Sequence, residues 1–137
     1  MAGTNAAIGG GGIHHVAMKV KDFDASVEFY TTVMGFKPTM SWGEGDGRAV
    51  MLDSGDGSCV ELFAGGSAEP RPEGAWIHLA FNSSDVDAAF ERIRHAGVKV
   101  ILVPTSIDLP SNPSRTVRIA FFAGPDGETV ELFSIAK

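Results

Sequence analysis

The sequence predicts an α+β fold built from two tandem βαβββ modules. Three observations point there. The segment HVAMKVKDFDASVEFY, from His15, repeats as HLAFNSSDVDAAFERI, from His78. The segment RAVMLDSGDGSCVELF, from Arg48, repeats as RIAFFAGPDGETVELF, from Arg118. The two repeats occur in the same order, and each copy carries one helix-period block among several strand-period blocks. The offset between copies is 63 residues in the first pair and 70 in the second, which places an insertion in the second copy, at the Pro-rich stretch PTSIDLPSNPS of residues 104–114.

The elements follow in order. Residues 1–12, MAGTNAAIGGGG, lack the basic and apolar regions of a signal peptide and read as a flexible glycine-rich tail. Residues 13–20 alternate as a strand should. Asp22 or Asp24 can cap a helix running to about Met34, with Val27, Tyr30, Val33 and Met34 as its apolar stripe and Gly35 as its stop. Strands are expected near 36–42, 48–53 and 58–63, joined by turns at 44–47 and 55–57. The second copy gives a strand at 75–82, a helix at 85–96 ending at Gly97, and strands near 98–103, 116–123 and 128–134. One domain over 13–134 is expected, with module one at 13–65 and module two at 74–134. With the helices on one face of each sheet, the class is α+β.

Composition limits the function. The 137 residues are 44% hydrophobic and 20% charged, a balance that excludes a disordered chain. No apolar run reaches the ~20 residues of a membrane helix. Eleven basic against seventeen acidic residues give a net charge of −6, which argues against nucleic-acid and anionic-membrane partners. The single cysteine, Cys59, excludes an internal disulfide and points to a reducing, cytoplasmic setting.

Strand parity separates the polar residues from the core. Val16, Met18 and Val20 share one face, and His15, Ala17 and Lys19 the other. The same alternation puts Glu61 opposite Val60 and Leu62, His78 opposite Ile77 and Leu79, and Glu131 opposite Val130 and Leu132. A mid-strand carboxylate among aliphatic neighbours is costly to bury unless it is neutralised. Two of them at equivalent positions, each with an equivalent histidine, call for a shared partner. A divalent cation is the simplest one. Two imidazoles and two carboxylates without thiolate suit Ni, Co, Mn or Fe, or Zn with added ligands.

The stretches HHVAMKVKDFDASVEFYTTVMGF, CVELFAGG, IHLAFNSSDVDAAFERIRHAG and IAFFAGPDGETVELF resemble the vicinal oxygen chelate superfamily, the glyoxalase/bleomycin-resistance/dioxygenase group. The resemblance covers residues 13–134. It implies paired modules curling into a clefted sheet with helices outside, and metal ligands on the first and last strands of each module. These are His15, Glu61, His78 and Glu131, a set similar to glyoxalase I. It implies a lyase or isomerase that removes a proton next to a carbonyl, with the metal holding the developing enediolate and Glu131 as base, Glu61 its counterpart. A small-molecule substrate such as a 2-oxoaldehyde thiol adduct and a homodimer are implied as well. Alternatives within the resemblance are an antibiotic-binding protein of bleomycin-resistance type and a methylmalonyl-CoA epimerase-like isomerase. The glutathione contacts of the family depart at two positions: its arginine is Lys19 here, and its asparagine is Gly65.

Further substrate contacts are expected from Arg48 and Arg118, read as facing the cleft to grip a carboxylate or phosphate, and from Trp76 and Phe133 as an apolar wall. His14, on the face opposite His15, reads as structural. His95 suits the last turn of its helix. The 104–114 loop reads as a lid or a stiff connector.

Overall fold

Each half of the chain lays a four-stranded sheet against helix. The computed structural model describes residues 6–9, 13–67, 76, 78–111 and 114–136. The chain divides into two compact units, Met1–Ser67 and Ala68–Lys137.

In unit one, β1 (His15–Lys19) leads to α1 (Phe23–Glu28), followed by β2 (Lys37–Trp42), β3 (Ala49–Asp53) and β4 (Cys59–Phe63). The sheet order is β1-β4-β3-β2. β1 and β4 run parallel, and the other pairs are antiparallel. Of the two candidate caps, Asp22 is the one used: its carboxylate accepts from the Ala25 N–H at 3.0 Å. Val20, Tyr30, Val50, Leu52, Val60 and Leu62 form the core.

The helix of unit one departs from expectation in its second half. From Phe29 to Val33 it widens into a π-turn. The Thr31 hydroxyl donates to the Val27 carbonyl at 2.7 Å, a local bond that competes with regular helix. The widened turn buries the adjacent Phe29 and Tyr30 together. Gly35, at φ +73°, then turns the chain through a backbone region that other residues avoid.

Unit two repeats the plan with β5 (Leu79–Asn82), α2 (Val86–Arg94), β6 (Lys99–Leu109), β7 (Arg115–Ala123) and β8 (Thr129–Ile135), in the order β5-β8-β7-β6. β5 pairs with β8 in parallel. Asp85 caps α2 by accepting from the Ala88 N–H at 3.0 Å. Val86, Phe90 and Ile93 on α2 share the core with Ala120, Phe122, Val130 and Leu132. Replacing Asp85 by alanine leaves that N–H without its acceptor, and a loss of about 1 kcal/mol in urea unfolding is expected.

Three expectations change. Ala6–Ile8, inside the expected flexible tail, form a short 3₁₀ turn, and the rest of that tail except Gly9 lies outside the described residues. β5 begins at Leu79, so Trp76 and His78 precede the strand. Residues 104–109 are not loop: β6 continues through Pro104 to Leu109, pairing with Arg115–Ile119. β6 lies at the edge of its sheet, and Pro104 falls within the register shift between Leu102 and Thr105, a setting in which a missing N–H is tolerated.

Candidate functional site

In each unit the parallel pairing of the first and last strands brings a histidine to a glutamate. In unit one the register sets His15 beside Cys59 and Ala17 beside Glu61. Glu61 also pairs with Met51 of β3, so Ala17, Glu61 and Met51 form one row across the sheet. In unit two Ala80, Glu131 and Phe121 form the equivalent row.

Both glutamates are buried, at 8% exposure for Glu61 and 6% for Glu131. His15 Nε2 stands 3.6 Å from Glu61 Oε1, beyond a hydrogen bond. His78 Nε2 stands closer to its glutamate, 3.1 Å from Glu131 Oε2. Burial lifts the Glu131 carboxyl above its ordinary range, and the charge of His78 only partly opposes it. The His78 ring also packs against Phe121, with centroids 5.7 Å apart. Among the described residues, no group of three or more His, Cys, Asp or Glu is placed to hold a metal ion. Each unit holds one histidine–glutamate pair of its own. A buried carboxylate next to a half-exposed imidazole, present twice, fits the donor chemistry of an N/O-liganded divalent cation.

Lys19 lies on the same face of β1 as His15, opposite Phe63 in the register, and is exposed. Phe133 is half-buried on the Glu131 face, between Asn82 and Ile119. Trp76 is 66% exposed. Gly65 adopts φ +84°, and a Cβ there would come within 3.3 Å of the Asp46 carbonyl oxygen. A side chain there would need the neighbouring backbone to give by a few tenths of an ångström, at a φ that favours glycine.

Arg48 and Arg118 sit on the opposite faces from Glu61 and Glu131, contrary to expectation. Parity alone told which neighbours they oppose, and the register supplies the missing sign: Met51 pairs with Glu61, and Phe121 with Glu131. Arg48 therefore points to the helix side, where Nη1 meets Asp24 Oδ1 at 3.0 Å and the guanidinium lies over the Phe23 ring. Arg118 holds Asp87 with two nitrogens, at 3.0 and 2.6 Å. Both arginines strap a strand to a helix.

The Arg118 hydrogen bond holds the Asp87 carboxyl below its ordinary range. A depressed carboxylate contributes stability above its unfolded pKa and loses that contribution as pH falls through its folded pKa. Asp87→Asn is therefore expected to lower the urea midpoint at neutral pH. The gap to the native protein should close as pH drops below about 4.

Two further features escaped the sequence reading. Trp42 and Phe63 meet edge-to-face at 6.2 Å on the Glu61 face, with Ala49 between them in the register. Pairing of β2 to β3 was needed to see this. His14, read as structural, lies against His15 with their Nδ1 atoms 2.9 Å apart. The adjacent His-His pair was the available signal.

Two βαβββ units, each with an imidazole and a buried carboxylate on the sheet face away from its helix, define the class of paired-module proteins. The family model described as Glyoxalase/Bleomycin resistance protein/Dioxygenase superfamily matches residues 12–132, and the chain belongs to that superfamily. A 2-epi-5-epi-valiolone epimerase from Actinomyces sp. is 32% identical, over 90% of this chain and 79% of its own length. A probable lactoylglutathione lyase from Vibrio cholerae serotype O1 is also 32% identical, over 88% of both. Among solved structures, a glyoxylase/bleomycin resistance protein/dioxygenase domain from Frankia sp. EAN1pec superposes with a TM-score of 0.72 at 23% identity, covering 92% of this chain and 98% of that one. Among the described residues no helix is long and apolar enough to cross a membrane.

Proposed function

We propose that this protein is a metal-dependent lyase or isomerase that moves a proton next to a carbonyl, as in glyoxalase I. The observation that carries the reading is the duplicated buried glutamate with its imidazole, His15 with Glu61 and His78 with Glu131. In this reading the four side chains together hold one divalent ion, Ni, Zn, Co, Mn or Fe. That ion supplies the Lewis acidity that lowers the pKa of a C–H beside a carbonyl.

The chain's own residues do the rest. Glu131 takes the proton through its carboxylate, and burial, which weakens its hold on negative charge, makes it a stronger base than an exposed glutamate. Glu61 is its counterpart. Lys19 offers a point charge to a substrate carboxylate, without the planar fork of an arginine. Trp42, Phe63 and Phe133 offer apolar surface beside the two pairs.

A second reading is an epimerase. Lys19 and Gly65 stand where the glutathione contacts of the family would be, and a relative at 32% identity is named as an epimerase. Two carboxylates in equivalent settings suit removal of a proton on one face of a carbon and its return on the other.

Metal analysis of the purified protein is the first check. About one tightly held divalent ion per set of four ligands is expected. Stripping it with a chelator should abolish turnover, and adding it back should restore it. The assay compares the methylglyoxal–glutathione hemithioacetal, other thiol adducts and 2-methyl-3-oxoacyl thioesters. A protein that stays metal-free and binds an aromatic antibiotic equally well with or without added metal would overturn both readings.

A further inference from the structure

The two histidines of the candidate centre are held in different ways. His15 has a neighbour that can fix its protonation pattern. His14 and His15 meet edge-to-face, with ring centroids 5.2 Å apart and Nδ1 atoms 2.9 Å apart. Between two neutral imidazoles at that distance, one Nδ1–H donates and the other Nδ1 accepts. If His14 donated, His15 would carry its own proton on Nε2 and have no lone pair there. If His15 donates, its Nε2 is a free lone pair. Nε2 is also the nitrogen that stands on the Glu61 side, at 3.6 Å.

We infer that His14 is a positioning residue: it accepts the Nδ1–H of His15, fixes that ring's tautomer and plane, and presents Nε2 as a ready ligand. Histidine ligands commonly donate their second N–H to an acceptor that orients them. Here the acceptor is an imidazole from the preceding residue. The purpose of the arrangement rests on the proposed cation site, whereas its geometry does not.

Module two is built otherwise. His78 follows Ile77, which has no side-chain nitrogen to offer. Its ring is steadied by Phe121, and its Nε2 lies 3.1 Å from Glu131 Oε2. The symmetric pairs are thus unequal. His15 is preset as a ligand, whereas His78 has no preceding imidazole to fix its tautomer.

Nitrogen-15 spectra of the metal-free protein, recorded at about pH 8.5 where ordinary imidazoles are neutral, test this directly. His15 is expected as the Nδ1–H tautomer. His14→Phe, which keeps a ring but no acceptor, should shift His15 to Nε2–H and weaken binding of zinc or nickel ions roughly 10–100-fold. His14→Gln, whose carbonyl oxygen can accept, should restore much of both, and melting curves establish that all variants fold. A native His15 found as Nε2–H would overturn the inference. So would a folded His14→Phe with native tautomer and native affinity. A native chain that binds neither ion yet keeps His15 as Nδ1–H would sink the cation site alone and support the role given to His14.

Discussion

Glu131→Gln is expected to cut turnover by about 10²–10⁴-fold on whichever adduct the native protein converts. The amide keeps the size of the side chain and an oxygen that can still face a cation, but it cannot accept the substrate's proton. Metal content should therefore fall far less than kcat. The loss should appear in kcat and kcat/KM together, because the interaction removed belongs to the transition state. The corresponding Glu61→Gln variant separates the two readings. A lyase with one base should tolerate it better than Glu131→Gln, whereas a two-base epimerase should lose comparable rate from either. A Glu131→Gln protein with native kcat would end the assignment of the base.

Phe122→Ala is expected to cost about 3–5 kcal/mol, the largest stability effect of any single change proposed. Phe122 is fully buried on the helix side of β7, in register with Val130 of β8 and Val100 of β6. Its neighbours in the core come from strands and from α2, and rigid elements close poorly around a void left by a ring. Urea denaturation followed by circular dichroism checks this through a lower midpoint. A loss under 1 kcal/mol would mean that the site collapses freely.

The order of elements was legible because the chain writes it twice, and each copy constrains the other. His15 Nε2 lies 3.6 Å from Glu61 in one unit and His78 Nε2 3.1 Å from Glu131 in the other, residues that alternation along the strands had set apart from their aliphatic neighbours. Alternation has no sign, however. It told that Arg48 and Arg118 oppose Met51 and Phe121, but only pairing between distant strands tells which face is which. The same gap hid the Trp42–Phe63 contact, since those residues lie on strands that meet only through β3. The Pro-rich stretch 104–114 read as loop, and nothing local showed that β6 would be an edge strand able to carry Pro104. The widened turn at Phe29–Val33 depends on a hydroxyl choosing a carbonyl four residues back, a competition too close for propensity to settle.

Both histidines lie at an edge strand of their own sheet, His15 within β1 in one unit and His78 just before β5 in the other. Such strands are bonded along one side within the sheet, and they are the first to open in native-state fluctuations. The glutamates sit one strand further in, on better-anchored backbone. A ligand that ties imidazole to carboxylate would therefore act as a clasp on each rim. Amide protons of Val16–Lys19 and Leu79–Asn82 should exchange with deuterated solvent sooner than those of β4 and β8, and should slow most when the clasp closes.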